Sequence, residues 1–205
     1  MIAIIDYGLG NVLAFANLYY RFGIPARIAR TPAELEGATR LILPGVGAFD
    51  HAMERFTASG LREPVTELVQ GRGVPVLGIC VGMQILADAS DEGTATGLGW
   101  IPGRVRKLDV SKLTQRTQLP HMGWNDVEPL RPSALFAGLE TDARFYFLHS
   151  FYFHNTRPED ALAATEYGIR FSCAVNSGGI YGVQFHPEKS HHYGSQLLKN
   201  FAEMQ

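Results

Sequence analysis

The chain has 205 residues, 46% of them hydrophobic and 19% charged. That balance excludes a disordered chain, a coiled coil or a collagen-like repeat and fits a globular protein that buries its own core without disulfide or metal staples. A formal charge of −2 and a sequence pI near 6.4 supply no basic footprint for nucleic acid or an anionic membrane. Two cysteines, Cys80 and Cys173, cannot make a disulfide framework, which points to a reducing compartment. The N-terminus Met1-Ile2-Ala3-Ile4-Ile5-Asp6 lacks a basic leader region, and the apolar stretch Val74–Ala87 is too short to span a bilayer. The expectation is a cytoplasmic protein with no membrane and no nucleic-acid partner.

In chain order, the apolar run Ile2–Ile5 reads as a strand closed by Asp6-Tyr7-Gly8-Leu9-Gly10. Asn11 is placed to cap a helix reaching about Phe22, stopped by Gly23 and Pro25. Ala26–Ala29 is a second strand, and Thr31-Pro32 opens a helical turn. Arg40–Leu43 is a third strand, ending in Pro44-Gly45-Val46-Gly47. Helices are expected near Ala48–Thr57 and Leu61–Gln70. Val74–Ile79 is a fourth strand, followed by a helix from about Val81 to Ala87. This alternation predicts βαβ units and a parallel sheet covered on both faces.

After residue 98 the pattern changes. Trp100–Leu108, Gly123–Val127, Arg144–Phe153, Ala161–Glu166, Phe171–Val175 and Ile180–Phe185 read as strands with short turns, an antiparallel extension or edge. Gly194–Met204 reads as a closing helix. No repeat or linker interrupts the chain. The predicted architecture is a single α/β domain over residues 1–205: doubly wound, a mostly parallel central sheet flanked by helices, with antiparallel strands in the C-terminal half.

Ligands of open parallel sheets bind at the carboxyl ends of the strands, and the unusual residues fall there. Gly78-Ile79-Cys80-Val81-Gly82 joins a strand to a helix. It is the thiol counterpart of a Gly-x-Ser-x-Gly nucleophile elbow, a turn so tight that the positions two before and two after the nucleophile have no room for side chains. The turn lifts the Cys80 sulfur over the sheet edge, the start of the new helix favours the thiolate, and the Val81 N–H is left to donate to an oxyanion. The ordinary alternative is a small buried cysteine; the paired glycines argue for a nucleophile.

Among seven histidines, His186 is the best base. It ends an apolar strand, and Pro187 keeps it extended. Glu188, two residues on, shares its side of the chain and can orient the imidazole. Pro44-Gly45-Val46-Gly47 offers further backbone donors near the oxyanion. No Cys-x-x-Cys or His-x-x-x-His occurs, so no metal is expected; Cys173 alternates like a strand residue and reads as core.

Gly78–Gln84, Phe185-His186-Pro187-Glu188 and Pro44–Gly47 together resemble the class I, triad-type glutamine amidotransferases along the whole chain. Ile5–Asn11, Pro120–Asn125, Tyr146–Ser150 and His186–Ser190 narrow the resemblance to a branch whose glutaminases feed a cyclase in histidine biosynthesis. The resemblance implies catalysis by Cys80, His186 and Glu188 through a glutamyl thioester. It implies oxyanion donors at Val81, Gly45, Val46 and Gly47, and glutamine held by Gln84, Tyr146, His149 and Ser150. Phe151 stands where many relatives carry tyrosine. It implies no cofactor and, as heterodimer partner, a (β/α)8 cyclase subunit that receives ammonia through a channel and makes imidazole glycerol phosphate. Asn11, His121, Met122, Gly123, Trp124 and Lys189 match the partner-facing positions, for which core or turn structure is the plainer reading. Gly97–Ile101 and Ser190–Phe201 look similar to a paralogous branch serving an amidating synthase of surface-polysaccharide sugars. That alternative stays open, as does a stand-alone cysteine hydrolase.

Overall fold

The structure is a computed structural model that describes residues 1–109, 111 and 119–204. Strand β1 (Ile2–Ile5) leads into helix α1 (Val12–Arg21), capped by the Asn11 side chain, which accepts from the Ala14 N–H at 3.3 Å. Strand β2 (Ala26–Ala29) and a single turn over Pro32–Leu35 follow, and then β3 (Arg40–Gly45), α2 (Phe49–Ala58) and α3 (Arg62–Thr66). A wider helical turn over Glu67–Gly71 leads to β4 (Val76–Cys80) and α4 (Val81–Gln84). The second half contains β5 (Ala89–Ser90), β6 (Gly103–Lys107), β7 (His121–Asp126), β8 (Glu128–Pro129), β9 (Arg144–His149) and β10 (Phe151–Asn155). It closes with β11 (Ala161–Tyr167), β12 (Ile169–Ser177), β13 (Ile180–Val183) and α5 (His191–Glu203).

The main sheet runs β2-β1-β3-β4-β13-β12-β10-β6-β5, with β11 on β12 and β8 on β11. From β2 to β13 every pairing is parallel; β13–β12, β12–β10 and β10–β6 are antiparallel. The parallel half is thus completed by a strand from the far end of the sequence. The register Val183↔Ile79 sets β13 beside β4, so the residues just beyond β13 emerge beside Cys80.

Three expected elements differ. The long strand expected over Arg144–Phe153 breaks at Ser150: β9 pairs with β7 in a separate two-stranded sheet, and β10 joins the main one. Trp100 and Ile101 are not strand; both N–H groups bond the Leu86 carbonyl. The helix after Cys80 ends at Gln84, because Leu86 and Ala87 close tight bonds back to Met83 and Gln84, so the dipole expected to favour a thiolate comes from one turn only.

One continuous apolar core joins both halves. Phe185 is fully buried and stacks on Phe145 with centroids 4.0 Å apart, and Phe147 meets it edge-on at 5.7 Å. A buried phenylalanine contributes about 1.5–3 kcal/mol, and here the packing clamps the residue just before His186. Among the described residues no helix is long and apolar enough to cross a membrane.

Candidate active site

Cys80 ends β4 and opens α4 with φ +55° and ψ −114°, a conformation non-glycine residues rarely adopt and one that costs of order 1–3 kcal/mol. The space argument for its neighbours holds. A side-chain carbon on Gly78 would lie 2.6 Å from the Gly82 carbonyl oxygen, and one on Gly82 would run into the Leu43 carbonyl. The backbone therefore turns sharply with Cys80 at the apex, only 4% exposed. Val81 opens the helix, so its N–H has no intrahelical acceptor.

His186 lies just past β13. Its backbone is tied to β9 by the bond from its N–H to the Tyr146 carbonyl, 2.8 Å. Ser190 closes the loop: its hydroxyl donates to the His186 carbonyl at 2.6 Å and accepts from the Tyr146 N–H at 3.0 Å. His186 Nδ1 meets Glu188 Oε1 at 2.9 Å, both side chains being buried. Burial on its own would lower the imidazole pKa. The Cys80 sulfur and the Glu188 carboxylate outweigh it and hold the pKa up at about 10. The ring is therefore cationic at neutral pH, bonded to Glu188 on one side and facing the sulfur on the other.

Beneath the sulfur lies a buried amide pair. Gln184 Nε2 donates to Cys80 Sγ at 3.8 Å, and its Oε1 accepts from Gln84 Nε2 at 3.0 Å. Gln84 Nε2 also donates to the Phe151 carbonyl at 3.1 Å. The Leu148 carbonyl sits 4.0 Å from the thiol as its acceptor.

Cys80, Gln84 and His186 open onto a cavity of about 320 Å³ lined also by Val46, Gly47, Val81, Glu92, Pro120, Leu148, His149, Ser150, Phe151 and Lys189, with Gln184 buried behind it. A more open cleft of about 700 Å³ between α3 and Leu98–Trp100 contains neither cysteine nor histidine. Gly45 lies beneath the cavity wall, where a side-chain carbon would stand 2.5 Å from the Gly82 nitrogen.

Two expected site residues fall elsewhere. Tyr146 does not line the cavity. The period of two along β9 turns Phe145, Phe147 and His149 inward and leaves Tyr146 half-buried beside Trp124, its ring 5.8 Å from Lys189 Nζ. His121 is not a surface residue, being 3% exposed. It faces inward on β7, while Met122 and Trp124 alternate outward at 62% and 39% exposure. His149 lines the cavity, but its ring nitrogens are engaged within the protein, Nδ1 on the Phe151 carbonyl at 2.7 Å and Nε2 on His121 Nδ1 at 2.9 Å. Asn11, Gly123 and Lys189 retain exposed surface.

Sequence reasoning missed Gln184 and Glu92. Gln184 carries a signal, since it shares His186's side of an extended chain. Glu92 carries none; it sits in an irregular turn, with Oε2 accepting from the Phe49 N–H at 2.8 Å. Among the described residues no group of three or more His, Cys, Asp or Glu could hold a metal ion.

Residues 3–204 match the family described as glutamine amidotransferase class-I. The imidazole glycerol phosphate synthase subunit HisH of Bdellovibrio bacteriovorus is 62% identical over 204 residues, covering all of both chains. The subunit of the same name from Leptospira interrogans is 48% identical, again over the full length of both. Among solved structures, a glutamine amidotransferase from Thermotoga maritima superposes with a TM-score of 0.64 at 18% identity, covering 98% of this chain and 81% of that one. At that identity it shows the fold.

Proposed function

The chain belongs to the class-I glutamine amidotransferases, and from that premise we propose that Cys80, His186 and Glu188 are the triad with which it takes ammonia from glutamine. The observation that carries this reading is the meeting, at the carboxyl ends of adjacent parallel strands β4 and β13, of an elbow cysteine with a buried imidazole–carboxylate pair.

Cys80 attacks as its thiolate, the proton from sulfur being carried by His186: Sγ bonds the side-chain amide carbon, and the carbonyl electron pair moves onto oxygen, facing the Val81 N–H and the Val46–Gly47 backbone. His186, charged at neutral pH, protonates the departing nitrogen; ammonia leaves and a glutamyl thioester remains. The neutral imidazole then takes a proton from water, which attacks the thioester and releases glutamate. Glu188 holds the ring in position and stabilises its cationic form. Gln84 and Ser150 line the glutamine side chain's path, and Glu92, the carboxylate of the cavity lining, suits the substrate's α-ammonium group.

The chain is the glutaminase subunit of an imidazole glycerol phosphate synthase in histidine biosynthesis. Relatives of that name at 40–62% identity over nearly their whole lengths support this over the polysaccharide branch. Its partner is then a (β/α)8 cyclase subunit that consumes the ammonia, docked on the face bearing Met122, Trp124 and Lys189. The test is Cys80→Ala in the complex with that subunit: glutamine-dependent synthesis should vanish while synthesis from added ammonia persists. Loss of both would overturn the division of labour, and unchanged glutamine-dependent synthesis would overturn the nucleophile.

A further inference from the structure

We infer that Gln184 is a catalytic residue of this site, a neutral side-chain donor aimed at the nucleophilic sulfur. The inference rests on the reading of Cys80 as the nucleophile. The Gln184 side chain is fully buried, and the register of β13 on β4, Val183 opposite Ile79, brings residue 184 level with Cys80.

The direction of its amide is determined by its neighbours. The Phe151 carbonyl can only accept, so it takes one N–H of Gln84 at 3.1 Å; the second N–H of Gln84 goes to Gln184 Oε1 at 3.0 Å. With its oxygen committed there, Gln184 turns its NH2 group to Cys80 Sγ, 3.8 Å away. An N–H directed at sulfur favours the anion. The Leu148 carbonyl on the same sulfur, 4.0 Å away, accepts only from the neutral thiol. Gln184 thus donates to the sulfur where the Leu148 carbonyl can only accept from it, and it does so without a charge that could compete with His186.

The donor acts twice in the cycle. It stabilises the sulfur lone pair before attack. In thioester hydrolysis the C–S bond breaks and its electron pair returns to Sγ, while the proton of the attacking water passes to His186. The anion reforms facing an N–H that is already in place and needs no reorientation. Removing the donor should therefore slow deacylation as well as attack.

The experiment compares Gln184→Met and Gln184→Glu with the parent in complex with the cyclase subunit, after melting curves confirm folding. Glutamine hydrolysis and the rate of Cys80 alkylation by iodoacetamide are read together; Cys173 is fully buried and stays out of the second readout. The expected result for Gln184→Met is a fall of about tenfold in both alkylation and kcat, with KM unchanged or lower and the glutamyl adduct accumulating on acid quench. Gln184→Glu keeps the length and the acceptor for Gln84 but sets a carboxylate against the sulfur, so it should fall further. It decides the matter if the methionine variant does not fold. Parental alkylation and kcat in either folded variant, or a loss confined to a raised KM, would overturn the inference. Cys80→Ala in the same assay separates the two failures: if it still releases glutamate, the reading of the site falls rather than the role of Gln184.

Discussion

His121 Nδ1 and His149 Nε2 lie 2.9 Å apart in the buried seam between β7 and β9, and one protonation pattern satisfies the contact. The Phe151 carbonyl only accepts, so His149 carries its proton on Nδ1. Its Nε2 then accepts from His121 Nδ1, and His121 Nε2 accepts from Asn125 Nδ2 at 3.3 Å. Both rings are neutral. Burial pushes His121 down to about 4; burial and then the neighbouring His121 push His149 down to about 3, against the opposing pull of the Phe151 carbonyl.

The pair therefore makes the fold sensitive to acid. Each imidazole has a folded pKa below its unfolded value of about 6.5, so its contribution is complete above that pH and is lost as pH falls toward the folded value. At about 1.4 kcal/mol per unit, His121 alone accounts for on the order of 3 kcal/mol. His186, raised to about 10, adds no slope in that window, because its contribution is complete below about 6.5. Urea midpoints should drop steeply between about pH 6.5 and about pH 4, and less so in His121→Phe, where the new ring can stack between Phe147 and Tyr167 as the imidazole does. Parallel curves for the two proteins would contradict this account.

The alkaline side belongs to His186. In the proposed cycle the ring gives its proton to departing ammonia; that proton is lost as pH rises through about 10, so glutamine hydrolysis should decline along that limb. Glu188→Gln removes a negative charge 2.9 Å from the ring. The decline should then begin at lower pH, and kcat should fall at least about tenfold. Coincident alkaline limbs in the two pH profiles would show that the carboxylate does not sustain the cation.

At the elbow the limit is steric. Gly82→Ala drives a methyl group against the Leu43 carbonyl, backbone that cannot move without opening β3 from β4. A stability loss of about 1–3 kcal/mol should accompany a collapse of kcat as Cys80 is displaced. Gly179→Ala supplies the contrast, since its new carbon would meet its nearest neighbour at an ordinary 3.7 Å. That variant should stay within about 0.5 kcal/mol of the parent with full activity. Equal behaviour of the two variants, followed by melting and initial rates, would remove the steric argument for the turn.

The parallel half of the fold was legible because each apolar run ends in its own turn chemistry, and the Gly78–Cys80–Gly82 spacing has one good structural solution. His186 and Glu188 were legible as a pair two residues apart in an extended chain. The crossing of β13 back to β4 was not, since strand order between distant segments leaves no local pattern, and Gln184 went unseen because its role depends on that register. Ser150 hid the switch between sheets inside a continuous apolar run, and with it the reason His121 faces inward.

The exposed face of β7 gives the last prediction. Trp124 stacks on His191 with centroids 5.3 Å apart and planes 15° apart, and it meets Tyr146 edge-on at 6.4 Å. The indole is thus held in one orientation while remaining 39% exposed, beside Met122 at 62%. A rigid, half-exposed tryptophan next to a pliable methionine is the type of anchor that carries more than about 2 kcal/mol of a protein interface. Trp124→Ala should weaken the complex with the cyclase subunit by roughly thirtyfold and leave the melting temperature of the isolated chain nearly unchanged. Tyr20, more exposed at 85% but on the last turn of α1, should be replaceable by alanine without effect on affinity. Calorimetric titration of both variants separates position from mere exposure: if Tyr20→Ala weakens binding and Trp124→Ala does not, the partner docks on α1 and not on β7.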